Sequence, residues 1–180
     1  MGLRPPILPD CDALSALPPS GAEGLAADLD DETFSYVAAM RVPFDLLRQA
    51  AGQIAGVLVL AVSGSHGAAG HPMLDLAHTA LQEANDAVLG LRPPPRGAHH
   101  HRHLARAARA IGTALAAARL HMRGSDDAAT DAVLRPLRAG FQELQWAATT
   151  LPGFEVVAFS QGCCARHSGE RPQAPIQPNR

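Results

Sequence analysis

From residue 43 to residue 150 the apolar positions recur with a helical period in four long runs, separated by breakers. Projected at about 100° per residue, Leu47, Ile54, Leu58 and Ala61 of the first run share one stripe. Beyond Ile54 that run is apolar nearly all round, so it should be the most buried of the four. Pro43 suits its first turn and Gly64 its close, and a shorter segment from Glu32 to Arg41, with Asp31 as N-cap, precedes it. The second run starts at Pro72 and ends at Gly90, ahead of the breaker "LRPPPRG". The third covers His99 to Arg123 and lines up Leu104, Ile111, Leu115 and Met122. The fourth follows a cap at Ser125 or Asp126, lines up Val133, Leu137, Phe141, Leu144 and Ala148, and ends at Thr150. Pro136 inside it predicts a kink or a later start.

Four amphipathic segments on short connections predict an all-α fold, an antiparallel up-down four-helix bundle. Residues 1–29 read as a disordered Pro-rich leader, 30–153 as the bundle domain, 154–167 as an extended C-terminal arm and 168–180 as a disordered tail. Within the arm, "FEVVAFSQ" changes to a strand-like period. It reads either as an arm lying over the bundle or as a strand that pairs with its copy in a dimer.

Composition narrows the picture. The chain is 47% hydrophobic but only 4% aromatic, so its core must be built from Ala, Leu and Val, which favours closely packed helices over a β-sandwich. A net charge of −2 gives no overall electrostatic case for nucleic acid or an anionic membrane as partner. All 15 basic residues are arginine, which removes any lysine Schiff base or P-loop lysine. The leader lacks the apolar run of a secretory signal, and Ile54 to Val62 is about half the length that crosses a bilayer. Three cysteines do not make a disulfide framework. The expectation is a soluble, cytoplasmic, histidine-rich protein.

Candidate chemistry is confined to a few stretches. "HHHRH" places His99, His100, His101 and His103 at the start of the third helix, with His99 and His103 at i, i+4 and His100 pointing closest to the apolar stripe. Four histidines there cannot all be core; they suit neutral ligands or a polar helix entry facing solvent. "CCARH" offers adjacent thiols at Cys163 and Cys164 and an imidazole at His167, a soft donor set for Zn or Cu. Intermolecular disulfide formation or redox sensing competes with that reading, and so do incidental cysteines. Up-down threading brings His99, His100 and His103 to the end from which the cysteine arm departs. His66, His71 and His121 gather at the opposite end, which an extended arm is long enough to reach as well. Weaker metal candidates are His71, Asp75, His78 and His121; the first three span about 60° of the second helix, but opposite its apolar face, as a solvated polar stripe would.

Arg102, Arg106 and Arg109 repeat opposite the third helix's apolar stripe, where they can grip an acidic partner or a phosphate group, or simply face water. Trp146, the only tryptophan, falls on the polar side of the fourth helix, as a partner contact or under the C-terminal arm. No catalytic constellation is present: there is no nucleophile elbow, phosphate loop or dinucleotide fingerprint. The sequence therefore predicts a non-enzymatic metal-binding or metal-sensing bundle. The alternative is a helical interaction module acting through protein contacts, as a homodimer or with another protein. An enzyme acting on a small molecule in the bundle core comes third.

Overall fold

The computed structural model describes residues 29–64, 68–121 and 127–154. They form four α-helices: α1 (Asp31–Val62), α2 (Pro72–Gly90), α3 (Ala98–His121) and α4 (Asp127–Thr150). Single 3₁₀ turns at Ala68–Gly70 and Pro95–Gly97 precede α2 and α3. The described residues contain no strand.

The chain threads up and down. At one end Tyr36, early in α1, bonds His100 at the start of α3, and Trp146, late in α4, lies against His103. At the other end Arg119, late in α3, reaches Asp75 in the first turn of α2 at 2.7 Å. The α3–α4 and α1–α2 pairs are the most extensive, α1 touches every other helix, and α2 and α4 barely meet. The cross-section is therefore a rhombus with α1 and α3 on its short diagonal.

Alanine lets the helices pack closely. Ala50, Ala51, Ala77, Ala84, Ala107, Ala114, Ala118 and Ala147 are buried between larger residues such as Phe44, Leu47, Ile54, Leu104, Ile111 and Leu144. α3 and α4 approach closely at Gly140. A Cβ there would lie 2.8 Å from Ile111 Cγ1 and 3.3 Å from the Ile111 backbone nitrogen.

Three local expectations change. The short lead-in and the first long helix are one helix, capped by Asp30, whose Oδ1 accepts from the Thr33 backbone N–H at 2.8 Å. Pro43 sits in its middle and costs about 3 kcal/mol. Burial of Tyr36, Val37 and Met40 on the near side and Phe44 and Leu47 on the far side, at roughly 1.5–3 kcal/mol each, outweighs that cost. The same holds at Pro136, which α4 passes through between buried Val133 and Leu137.

Second, the stretch of α1 beyond Ile54 is not wholly buried: Val59 and Val62 are 64% and 61% exposed. At 32 residues α1 is far longer than the 19-residue α2, and the second residue of α2, Met73, already meets it at Gly56. The last turn and a half therefore has bundle on one side only. By length and composition α1 is apolar enough to cross a bilayer, a test that core helices also pass, and twelve of its residues are buried here. Third, Phe141 is 38% exposed, because the core face of α4 is centred on Val133, Gly140, Leu144 and Ala147.

Candidate functional site

The histidine run follows a 3₁₀ turn that sets its rotation. Gly97, the last residue of that turn, lies under the Tyr36 ring, where a Cβ would come within 3.0 Å of Cδ1 and Cε1. An ion pair between Arg96 and Asp30, at 3.3 Å, holds the turn against the start of α1. From Ala98 each residue then advances by about 100°, which sends the four imidazoles to four different surroundings.

His100 points into the bundle and is fully buried. Its Nδ1 lies 2.8 Å from the Tyr36 hydroxyl, and its ring packs on Phe154 with centroids 4.0 Å apart. Burial, reinforced by the neighbouring His101 and His103, pushes its pKa down to about 3, so it is neutral at ordinary pH. His101 turns towards α2. Burial lowers its pKa and an interaction with the Val88 backbone opposes the shift; its Nδ1 is 3.4 Å from the same Tyr36 hydroxyl. Burial raises the pKa of Tyr36 well above that of a free phenol.

These contacts order the protons. If His101 donates to the Val88 carbonyl, its Nδ1 is bare and accepts the Tyr36 O–H. The Tyr36 oxygen then accepts Nδ1–H of His100. His100 Nε2, which has no hydrogen-bond partner among the described residues, is left as a bare acceptor. The reverse assignment would leave a buried N–H unmatched, which native interiors avoid more strictly than an unmatched acceptor.

His103 turns towards α4, where its Nδ1 donates to Glu143 Oε2 at 2.6 Å. Both side chains are largely covered, and Arg106 approaches the other Glu143 oxygen at 4.0 Å. His99 is exposed and stacks on His103 with centroids 4.7 Å apart. On the outer side, the Trp146 ring lies 5.7 Å from that of His103, and Trp146 is 47% exposed. Arg102, Arg106 and Arg109 are exposed along α3.

The three bundle imidazoles expected to act as ligands therefore do not converge. His100 is held by Tyr36 and His103 by Glu143, and no group of three or more His, Cys, Asp or Glu able to hold a metal occurs among the described residues. At the other end, His71 is not on the α2 stripe but is the helix's N-cap, its Nδ1 accepting from the Met73 N–H at 3.3 Å. Asp75 is paired with Arg119, His78 is half-buried and His121 is exposed at the end of α3. Cys163, Cys164 and His167, with His66, lie outside the described residues.

The sequence reading missed Tyr36 and Glu143. The signal for Glu143 was present: it sits one turn from Gly140, on the flank of α4 nearest the α3 seam. Tyr36, the chain's only tyrosine, carried no comparable signal. The chain matches no family model, no curated protein and no solved structure.

Proposed function

We propose that this bundle is a helical interaction module whose docking surface is the outer face of α3 and α4 around Trp146. One observation carries the reading. The only tryptophan is half in water, and the group bracing it, His103, is fixed in turn by Glu143. A large amphipathic ring held in one place pays little ordering entropy on binding, and tryptophan and arginine dominate the energetics of protein interfaces. Three exposed arginines lie along α3, the helix that carries His103.

A photo-crosslinking residue at Gln142, exposed one turn before Trp146, tests the reading in cells expressing the full chain. The expected result is a discrete adduct that disappears in Trp146→Ala, and a purified partner that shifts Trp146 emission. An adduct of twice the chain mass would identify a homodimer. No adduct, or the same adducts without Trp146, would refute the reading.

A second reading is binding of Zn or Cu through Cys163, Cys164 and His167 with help from the bundle. Its support is the position of Phe154, the last described residue before the cysteine pair in sequence, which packs on His100 and Phe44. Metal analysis of protein purified without a histidine tag, compared with Cys163→Ser/Cys164→Ser, decides it. Equal metal content in the two proteins would remove the cysteine site.

A further inference from the structure

We infer that the Trp146 face takes an acidic segment of a protein partner, one that carries an apolar anchor beside its carboxylates; this rests on the docking reading above. The argument is one of charge complementarity. α3 contains four arginines and five histidines and no carboxylate. Arg119 is spent on Asp75 at the far end. Arg102 and Arg109 make no ion pair among the described residues. Among the described residues Arg106 has only Glu143, at 4.0 Å, and that carboxylate is already bonded by His103 at 2.6 Å. The other carboxylates of α4, Asp127 and Asp131, lie about four turns or more from Trp146. Among the described residues, the positive charge of α3 therefore meets few carboxylates on α3 or α4, the helix pair that carries the exposed aromatic.

The remaining occupants fit less well. A second copy docking through the same face by two-fold symmetry would set arginines against arginines. A nucleic acid would meet a local patch on a chain whose net charge is −2, with repulsion elsewhere along a long polyanion. Arg102 to Arg109 spans about 10 Å of helix axis, a length matched by a short acidic stretch. An apolar side chain next to that stretch meets the indole.

The probe is a synthetic amphipathic peptide with glutamates spaced i, i+4, i+7 beside one leucine. It is compared with the same peptide bearing lysines and with an oligothymidine. Because Trp146 is the only tryptophan, its emission reports binding to this face directly. The full chain should bind the acidic peptide with a blue shift that weakens as salt rises. The charge reversal R102E/R109E should weaken that binding about tenfold, since each exposed ion pair is worth up to about fivefold, and should bind the lysine peptide instead. Circular dichroism confirms that the variant folds.

If both peptides bind equally, and Trp146→Ala abolishes both as read by the fluorescence anisotropy of the labelled probes, the acidic partner is overturned while the docking reading stands. Binding of the acidic peptide that is indifferent to R102E/R109E overturns it as well. Failure of the acidic peptide to shift Trp146 emission overturns the inference, and the crosslinking experiment then judges the docking reading by itself. Oligothymidine binding that survives Trp146→Ala would replace a protein segment with a polyanion.

Discussion

Replacing His100 with leucine should make the bundle markedly less sensitive to acid. In the unfolded chain His100 titrates near 6.5, whereas in the fold burial holds it at about 3. Between those values the unfolded chain binds a proton that the native state refuses. Stability is therefore intact above pH 6.5 and is lost as the pH falls towards 3. Each pH unit in that window removes at most about 1.4 kcal/mol, so descending from pH 6.5 to 4.5 costs up to about 2.7 kcal/mol. That is a large share of the roughly 5–15 kcal/mol that stabilises a typical domain. Leucine has a comparable size and no proton to gain. At pH 7 the variant should lie within about 1 kcal/mol of the parent, because losing the bond to Tyr36 is offset by removing the unpartnered Nε2. Urea unfolding followed by circular dichroism at several pH values gives both curves, and His101, depressed in the same direction, cancels in their difference. Parallel curves for the two proteins would refute the reasoning.

Two further changes probe the same framework. Tyr36→Phe removes the hydroxyl between two imidazoles and strands the His100 Nδ1–H, for an expected loss of about 1–3 kcal/mol that Tyr36→Phe/His100→Leu largely restores; a single variant as stable as the parent would show that the bridge is absent. The same residue gives a spectroscopic check: with one tyrosine in the chain, absorbance at alkaline pH should show no phenolate near pH 10 until the protein unfolds, and stability should fall as pH rises above 10. Gly140→Val should destabilise by about 2 kcal/mol, because its Cβ meets Ile111 and the α3 backbone, which cannot turn aside. An unchanged melting temperature would mean that the α3–α4 contact is looser than its geometry.

The bundle was readable because its period is long and its breakers are strong. "LRPPPRG" and Gly90 end α2 where the chain does, and Leu104, Ile111, Leu115, Val133, Leu137 and Leu144 are buried as the wheel projection requires. Local rules failed where tertiary burial exceeded a single propensity penalty, as at Pro43, which lies inside α1 rather than at a helix start. They failed again at Val59 and Val62, because a one-dimensional pattern does not say where a neighbouring helix stops. For the site, helical phase separated His100 from its neighbours, and the position of Trp146 on the polar face followed from the same projection. What phase could not give was the partner of each imidazole. Tyr36 is 64 residues from His100 and Glu143 is 40 from His103, and such pairings arise only from helix register.

Register is where the alanine-rich interior has its main consequence. Small, similar side chains present a nearly smooth surface, on which one rod can slide along another by a turn with little change in packing. The links at the histidine end are not tolerant in that way. A one-turn slide of α1, about 5.4 Å, would part Tyr36 from His100 and Asp30 from Arg96 together. The hydroxyl, the carboxylate and their mates thus act as dowels that index an otherwise slippery joint, and removing both should yield a protein that stays helical and compact but samples several alignments.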